Sequence, residues 1–232
     1  MNIGSSDSVL FDLDGVLVDS RAAISSAINH ALDTHGHPER AQASLHRFIG
    51  PPLVMAFAQL TGQPQDSNQV LACVASYRER YRESSLRETS VIRGIPEALD
   101  ELSQRHRLAV ATSKSLAFAE PLLREFGLRE MFEVVAAPEL TAHAEDKAAT
   151  IRTALSALGG GRSVMVGDRS FDIIGAHACE IPAIGVSWGI GSSRELAASG
   201  AEVLIDAPSE LPGAVSAVFA GIALGGLDER RR

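Results

Sequence analysis

The stretch Val9-Leu10-Phe11-Asp12-Leu13-Asp14-Gly15-Val16-Leu17-Val18-Asp19-Ser20 decides the fold. An apolar run ends in two aspartates one residue apart and then a glycine. Alternation along a strand puts residues i and i+2 on one side, so Asp12 and Asp14 converge at the carboxyl end of a buried strand. Two carboxylates that close repel each other, and desolvation adds to the cost unless a cation or a shared proton compensates. The pair implies a bound metal ion, a proton-transfer role, or both.

Outward from this strand, short apolar runs alternate with amphipathic helical segments, the pattern of an α/β fold with a parallel sheet. Strands are expected at Ser8–Asp12, Leu108–Thr112, Phe132–Ala136, Ser163–Gly167, Ala183–Val186 and Val203–Ile205. Pro96 reads as the first residue of a helix whose inner face carries Leu99 and Leu102. Further helices are expected at Leu116–Phe126, stopped by Gly127, and at Asp146–Leu158, stopped by Gly159. Between Arg21 and Ser90 the rhythm breaks and only helical pattern remains. Ile24, Ile28, Ala31 and Leu32 share one face, with Asp19 or Ser20 as cap and Gly36 as stop, and Val70, Cys73, Val74, Tyr77 and Tyr81 mark a second helix. Helix occupies the place where a Rossmann-like fold has a short crossover. The expected architecture is a Rossmann-like three-layer core with a parallel sheet, residues 1–19 and 90–232, plus an inserted all-helical cap domain, residues 20–89.

Composition narrows the function. The 232 residues are 45% hydrophobic and 22% charged, enough for a full core. The net charge of −8 argues against nucleic acid as the main partner, because backbone binding needs clustered Lys and Arg. A single phosphorylated small molecule stays open, since a metal and one lysine can locally reverse the sign. Two cysteines far apart, Cys73 and Cys179, make no disulfide framework and no metal-type spacing. Cys179, among Ala176, Ala178 and Ile181, reads as a small buried residue. The polar start, Met1 to Ser8, lacks the form of a signal peptide, and the late apolar run Ala217–Leu224 is too short to span a bilayer. The expected setting is the cytoplasm, without a membrane partner. The end, Gly225 to Arg232, reads as a frayed tail.

Ligands of open α/β sheets bind beyond the carboxyl ends of the strands. Four polar clusters fall there: Asp12-Leu13-Asp14-Gly15; Thr112-Ser113-Lys114; Lys147, early in a helix; and Gly167-Asp168-Arg169-Ser170-Phe171-Asp172. Asp12, Asp14 and Asp168, with Asp172 near, offer the hard oxygen ligands that suit Mg²⁺. Thr112 can donate a hydrogen bond, the Ser113 amide can help if it opens the following helix, and Lys147 supplies a fixed positive charge. With the phosphate charge neutralised, Asp12 can attack phosphorus and carry an aspartyl-phosphate, while Asp14 protonates the leaving alcohol and then deprotonates the attacking water.

The plainer readings stand beside these. Gly167-Asp168 also fits an ordinary strand-to-helix turn, and Glu145-Asp146-Lys147 an ordinary charged first helical turn. Arg47 and Gly50-Pro51-Pro52 fit a substrate-facing cap loop and, equally, a proline-held helix connection. Arg78, Arg80 and Arg82 form a solvated helix face from which one could reach an anionic substrate. Tyr77 and Tyr81, four apart, read as packing residues.

The same residues carry a family likeness. Asp12-Leu13-Asp14-Gly15-Val16, a Thr after the second strand, a distant Lys and Gly167-Asp168-x-x-x-Asp172 resemble, in order, the motifs of the haloacid dehalogenase (HAD) superfamily of phosphohydrolases. The resemblance implies that Asp12 is nucleophile and metal ligand and that Asp14 is acid/base, binding metal through its backbone carbonyl. It also implies that Thr112 and Lys147 bind phosphate, that Asp168 binds Mg²⁺ and that Asp172 supports the site. The cap insertion is similar to the subgroup with phosphoglycolate phosphatases and β-phosphoglucomutases. Phe48-Ile49-Gly50-Pro51-Pro52, Tyr77-Arg78-Glu79-Arg80-Tyr81, Ala111-Thr112-Ser113-Lys114 and Gly189-Ile190-Gly191-Ser192 resemble the phosphoglycolate phosphatase/5′-nucleotidase-like branch. Two positions depart: Val16 stands where many phosphatases have Thr, and Ala148 follows Lys147 where Pro is common.

The implied activity is Mg²⁺-dependent hydrolysis of a small phosphorylated metabolite, by a monomer or a homodimer. The alternatives are β-phosphoglucomutase-like phosphoryl transfer, which Val16 favours, and a non-catalytic binding module. A dehalogenase is disfavoured, because Asp14 is superfluous for attack on carbon.

Overall fold

Every second residue of the central strand serves the opposite face of the sheet. In the computed structural model, which describes residues 7–140 and 146–221, β1 spans Ser8–Phe11. Val9 and Phe11 enter one apolar cluster, and Leu10 enters another. Such two-sided burial requires helices on both faces, which is why the strand is apolar throughout rather than alternating. Beyond β1 the chain turns back tightly. Leu17 and Val18 amides donate to the Leu13 carbonyl, and the Gly15 amide donates to the Val18 carbonyl.

A short strand β2, Val18–Asp19, follows and pairs antiparallel with β3, Ser90–Val91. This two-residue ribbon brackets the helical insertion and had no sequence signal. Between its strands lie α1 (Arg21–Thr34), α2 (Gln42–Leu45), a 3₁₀ turn at His46–Phe48, α3 (Leu53–Thr61) and α4 (Asn68–Glu88). Ile24, Ile28, Ala31 and Leu32 of α1 and Val70, Cys73, Val74, Tyr77 and Tyr81 of α4 are buried in an apolar cluster of their own. The Asp19 carboxylate accepts from the Arg21 amide, while the Ser20 hydroxyl turns away to donate to Asp14 at 2.6 Å. His35 and His37 lean on Ser76 and Gln69 and so tie the end of α1 to α4.

The core continues with α5 (Ile95–Ser103), β4 (Arg107–Ala111), α6 (Leu116–Glu125), β5 (Val134–Ala136), α7 (Lys147–Leu158), β6 (Ser163–Gly167), α8 (Ser170–His177), β7 (Ala183–Val186), α9 (Ser193–Ala198), β8 (Val203–Ile205) and α10 (Leu211–Phe219). All six core strands run parallel in the order β5-β4-β1-β6-β7-β8. Leu99, Leu102, Leu122, Leu123 and Leu211 pack on one face, and Ile151, Ala154, Ile173 and Leu196 on the other. The winding direction reverses beside β1, so the crevice at a topological switch point opens next to Asp12.

The expected and observed elements differ mainly at their ends. β1 and β4 stop one residue early, so Asp12 and Thr112 stand just past the ladder. β5 starts at Val134 instead of Phe132, because a 3₁₀ turn at Arg129–Met131 precedes it. Pro96 is the second residue of α5, not the first. Cys179 is half-exposed rather than buried, its thiol donating to the Ala148 carbonyl. No described helix is long and apolar enough to cross a membrane. Met1–Ser6, Glu145 and the expected frayed tail lie outside the described residues.

Candidate active site

β1 delivers Asp12 at the centre of the sheet, where the Asp12 amide donates to the Val166 carbonyl and extends the pairing with β6 by one residue. β6 delivers Asp168, and the first turn of α8 delivers Asp172. Carboxylate oxygens of Asp12, Asp168 and Asp172 lie within 4.8 Å of one another. The carboxylate that joins Asp12 and Asp168 is therefore that of Asp172. Asp14 turns aside, accepting from the Ser20 hydroxyl and pairing with Lys114 Nζ at 3.1 Å. Any share of Asp14 in metal binding falls to its backbone.

Three carboxylates at one point, those of Asp168 and Asp172 buried and that of Asp12 partly so, repel strongly. Lys147 answers two of them, with Nζ at 2.8 Å from both Asp12 Oδ1 and Asp172 Oδ1. Its position is set locally: Asp146 caps α7 by accepting from the Ala149 amide at 2.7 Å, and Lys147 is the first helical residue. Burial alone would pull the Lys147 ammonium down, but Asp12 and Asp172 hold it above the ordinary lysine value. Asp172 Oδ2 also accepts from the amides of Asp168 and Arg169.

Asp168 is fully buried. Its Oδ2 accepts from the Ile190 amide at 2.6 Å, while its Oδ1 is buried with no hydrogen-bond partner. Burial, reinforced by Asp172 and Asp12, pushes its carboxyl well above the usual carboxylate range. Gly15, at φ +86°, and Gly189 leave the room this carboxylate needs. A Cβ on either would stand 2.2 or 2.3 Å from Asp168 Oδ2. An orphaned buried carboxylate oxygen, two further carboxylates within reach and an all-oxygen donor set fit a hard divalent cation.

Asp12 and Asp14 line a cavity of about 220 Å³, together with Thr112, Ser113, Lys114 and Arg169 from the core and residues of the helical insertion. Thr112 is buried, and its Oγ1 accepts from the Lys114 amide. Ser113 is exposed on the cavity lining and does not open α6, which begins at Leu116 behind Ser115. Gly50 also lines the cavity. Arg47 does not; it is exposed, with its guanidinium 4.7 Å from the centre of the Phe48 ring.

Lys114, Tyr81 and Arg169, to which the sequence gave no role here, belong to this site, as does Arg78, from the trio Arg78, Arg80 and Arg82 of which one could reach a substrate. Lys114 Nζ, besides Asp14, donates to the Tyr81 hydroxyl at 2.7 Å. Tyr81 comes from α4, so this bond joins the insertion to the core, and its ring packs edge-on against Phe118 of α6. Arg169 makes a second link, donating from Nη1 to the Ile49 carbonyl at 2.6 Å while Nε is held by Glu195. Arg78 lines the cavity from α4. Lys114 carried a visible signal, standing two residues after Thr112 in a strand-end cluster. Val16, the departure from the common Thr, is fully buried in an apolar cluster with Phe11. A methyl suits that place better than a hydroxyl.

Comparison with known proteins agrees with this geometry. Residues 9–186 match the family described as haloacid dehalogenase-like hydrolase. The chain is 40% identical over 193 residues to a 5′-nucleotidase of Pseudomonas aeruginosa, covering 82% of this chain and 86% of the relative. It is 34% identical to a phosphoglycolate phosphatase of Cupriavidus necator, over 88% of this chain and 90% of the relative. The crystal structure of a predicted phosphatase from Clostridium acetobutylicum superposes with a TM-score of 0.85 at 31% identity, over 90% of this chain and 98% of that one.

Proposed function

The chain belongs to the haloacid dehalogenase-like hydrolase family, as a phosphatase, and on that premise we propose that it is a Mg²⁺-dependent phosphomonoesterase acting on a small phosphorylated metabolite through an aspartyl-phosphate on Asp12. One observation carries this reading: Asp12 and Asp14 face the cavity, while Asp168, Asp172 and Lys147 stand buried behind them. The reacting pair stands on the cavity wall, and its electrostatic support stands one layer behind it.

Asp12, with one oxygen held by Lys147, attacks phosphorus with the other. Asp14 is kept in place by Ser20 and Lys114. It donates a proton to the leaving oxygen and takes one from the water that later attacks the phosphoenzyme. Thr112, Ser113 and Lys147 bind phosphate oxygens. Asp12, Asp168 and the Asp14 backbone, with Asp172 in support, would hold Mg²⁺, which would supply the charge neutralisation that a dianionic phosphate requires. Residues 20–89 act as the cap domain, whose links through Tyr81–Lys114 and Ile49–Arg169 shut water out during the reaction. The setting is the cytoplasm, in keeping with two cysteines that remain free thiols.

Phosphate release with Mg²⁺, measured over nucleoside monophosphates, phosphoglycolate and hexose phosphates, tests the proposal. Release is expected to fall at least ~10³-fold in Asp12→Asn, the scale on which loss of a covalent nucleophile is felt. No release above that variant overturns the hydrolytic reading. Interconversion of sugar phosphates without release replaces it with intramolecular phosphoryl transfer.

A further inference from the structure

Four cations border the cavity or stand behind it, and three of them are engaged. Lys147 bridges Asp12 and Asp172, Lys114 is held by Asp14 and Tyr81, and Arg169 is held by Glu195 and the Ile49 carbonyl. Arg78 is the exception. It lines the cavity from α4, yet its Nε is buried with no hydrogen-bond partner, and it makes no ion pair among the described residues. Exposed Glu139, also on the lining, does not pair with it.

A guanidinium N–H withdrawn from water without an acceptor is costly, and a ligand that supplies the acceptor recovers that cost. The other arginines of α4 show what an uninvolved one looks like: Arg80 pairs with Glu88, and Arg82 and Arg87 are exposed. The cavity lining is apolar at Val74, one turn before Arg78 on α4, at Phe48 and Val54 from the preceding segments and at Phe118 from the core. Among the described residues, no other side chain of the lining offers a spare positive charge. The planar fork of Arg matches a carboxylate or a phosphate two bonds at a time. A cavity of about 220 Å³ is below the ~300–1,000 Å³ common for larger ligands, which suits a short leaving group.

We infer that Arg78 is a specificity-determining residue: it receives a second anionic group, a carboxylate or a further phosphate, on the leaving group of the phosphomonoester attacked by Asp12. The inference rests on the phosphomonoesterase reading and names the class of substrate within it.

The test measures kcat and KM with Mg²⁺ for the wild-type protein, Arg78→Gln, Arg78→Lys and Arg82→Gln. The substrates are phosphoglycolate, a short alkanediol bisphosphate and p-nitrophenyl phosphate, whose leaving group carries no carboxylate or phosphate. Arg78→Gln is expected to lose ~10- to 100-fold in kcat/KM on the better of the two substrates that carry a second anionic group, mostly through KM, the scale of a hydrogen bond to a charged group. Its loss on p-nitrophenyl phosphate is at least several-fold smaller. Arg78→Lys recovers part of the loss, and Arg82→Gln matches the wild type. A preference for phosphoglycolate assigns the carboxylate, and a preference for the bisphosphate assigns the phosphate. An equal loss on all three substrates, or a wild-type preference for p-nitrophenyl phosphate, overturns the inference and leaves the phosphatase reading standing. No turnover of any substrate by the wild type sinks both.

Discussion

The strand-end edge of the core and the cap wall opposite it solve different problems. At the edge, charges are crowded and matched: Asp12, Asp14 and Asp172 each face a lysine, and Asp168 is cradled by Gly15 and Gly189. On the cap wall the surface is largely apolar and holds Arg78, a cation without a partner among the described residues. The edge is complete for one reaction whatever the leaving group, and the wall is incomplete until a ligand arrives. On the proposed reading, chemistry is built into the first region and selection into the second.

Breaking the edge produces the largest effect. Lys147→Met leaves buried Asp172 and half-buried Asp12 without their shared cation, and removing one partner of a buried ion pair such as Lys147–Asp172 costs ~3–5 kcal/mol. Urea unfolding should show a loss of that size together with loss of phosphatase activity. A variant of normal stability would show that the edge is not locked by charge. Asp168→Asn sharpens the same point. In metal-free buffer it should melt no lower than the wild type, because burial and two neighbouring carboxylates already disfavour the Asp168 charge. Mg²⁺ at about 100 times its Kd should add ~2.7 kcal/mol to the wild type and far less to the variant, readable as a difference in Tm.

The seam between the two regions is worth less. Tyr81→Phe removes the hydroxyl that Lys114 reaches and keeps the ring on Phe118. It should cost ~0.5–1.5 kcal/mol of stability and raise KM more than it lowers kcat, since Asp14 keeps Lys114. A fall in kcat with KM unchanged would place Tyr81 in the chemistry instead. Smallest is Asp19→Asn in the two-strand ribbon. Arg21, hydrogen-bonded to the Asp19 carboxylate, lowers its pKa from 3.8. The pair therefore stabilises the fold above that value, and its contribution is lost as pH falls through the lower folded value. Both side chains are over a third exposed, which limits the pair to ~0.2–1 kcal/mol. Urea midpoints should differ slightly at pH 7 and converge towards pH 3.

Much of the edge was legible because its signals are local. Asp12 and Asp14 are two residues apart, Gly167 to Asp172 form one strand-to-helix turn, and Asp146 caps the helix that starts with Lys147. Each group needs only a short backbone rule to place it. The cap loop was harder. Arg47 and Gly50 are three residues apart, yet Gly50 lines the cavity and Arg47 stacks outside on Phe48. Periodicity says that Tyr77 and Tyr81 are buried, but not that one hydroxyl ends on a lysine of the core 33 residues away.

By itself, the sequence determined the parallel α/β core, the helical character of the insertion and the strand ends at which the carboxylates and Lys147 gather, since these follow from alternation, capping and the cost of unpaired charge. Only the tertiary structure decided that Asp172 completes the carboxylate trio, that Asp14 turns to Ser20 and Lys114, and that Arg78, rather than Arg80 or Arg82, faces the cavity. Those outcomes depend on how far α4 is rotated when its apolar stripe packs on α1 and on how the insertion seats over β1 and β4. That rotation is fixed by the fit of two separate apolar cores, and no repeat within either segment encodes it.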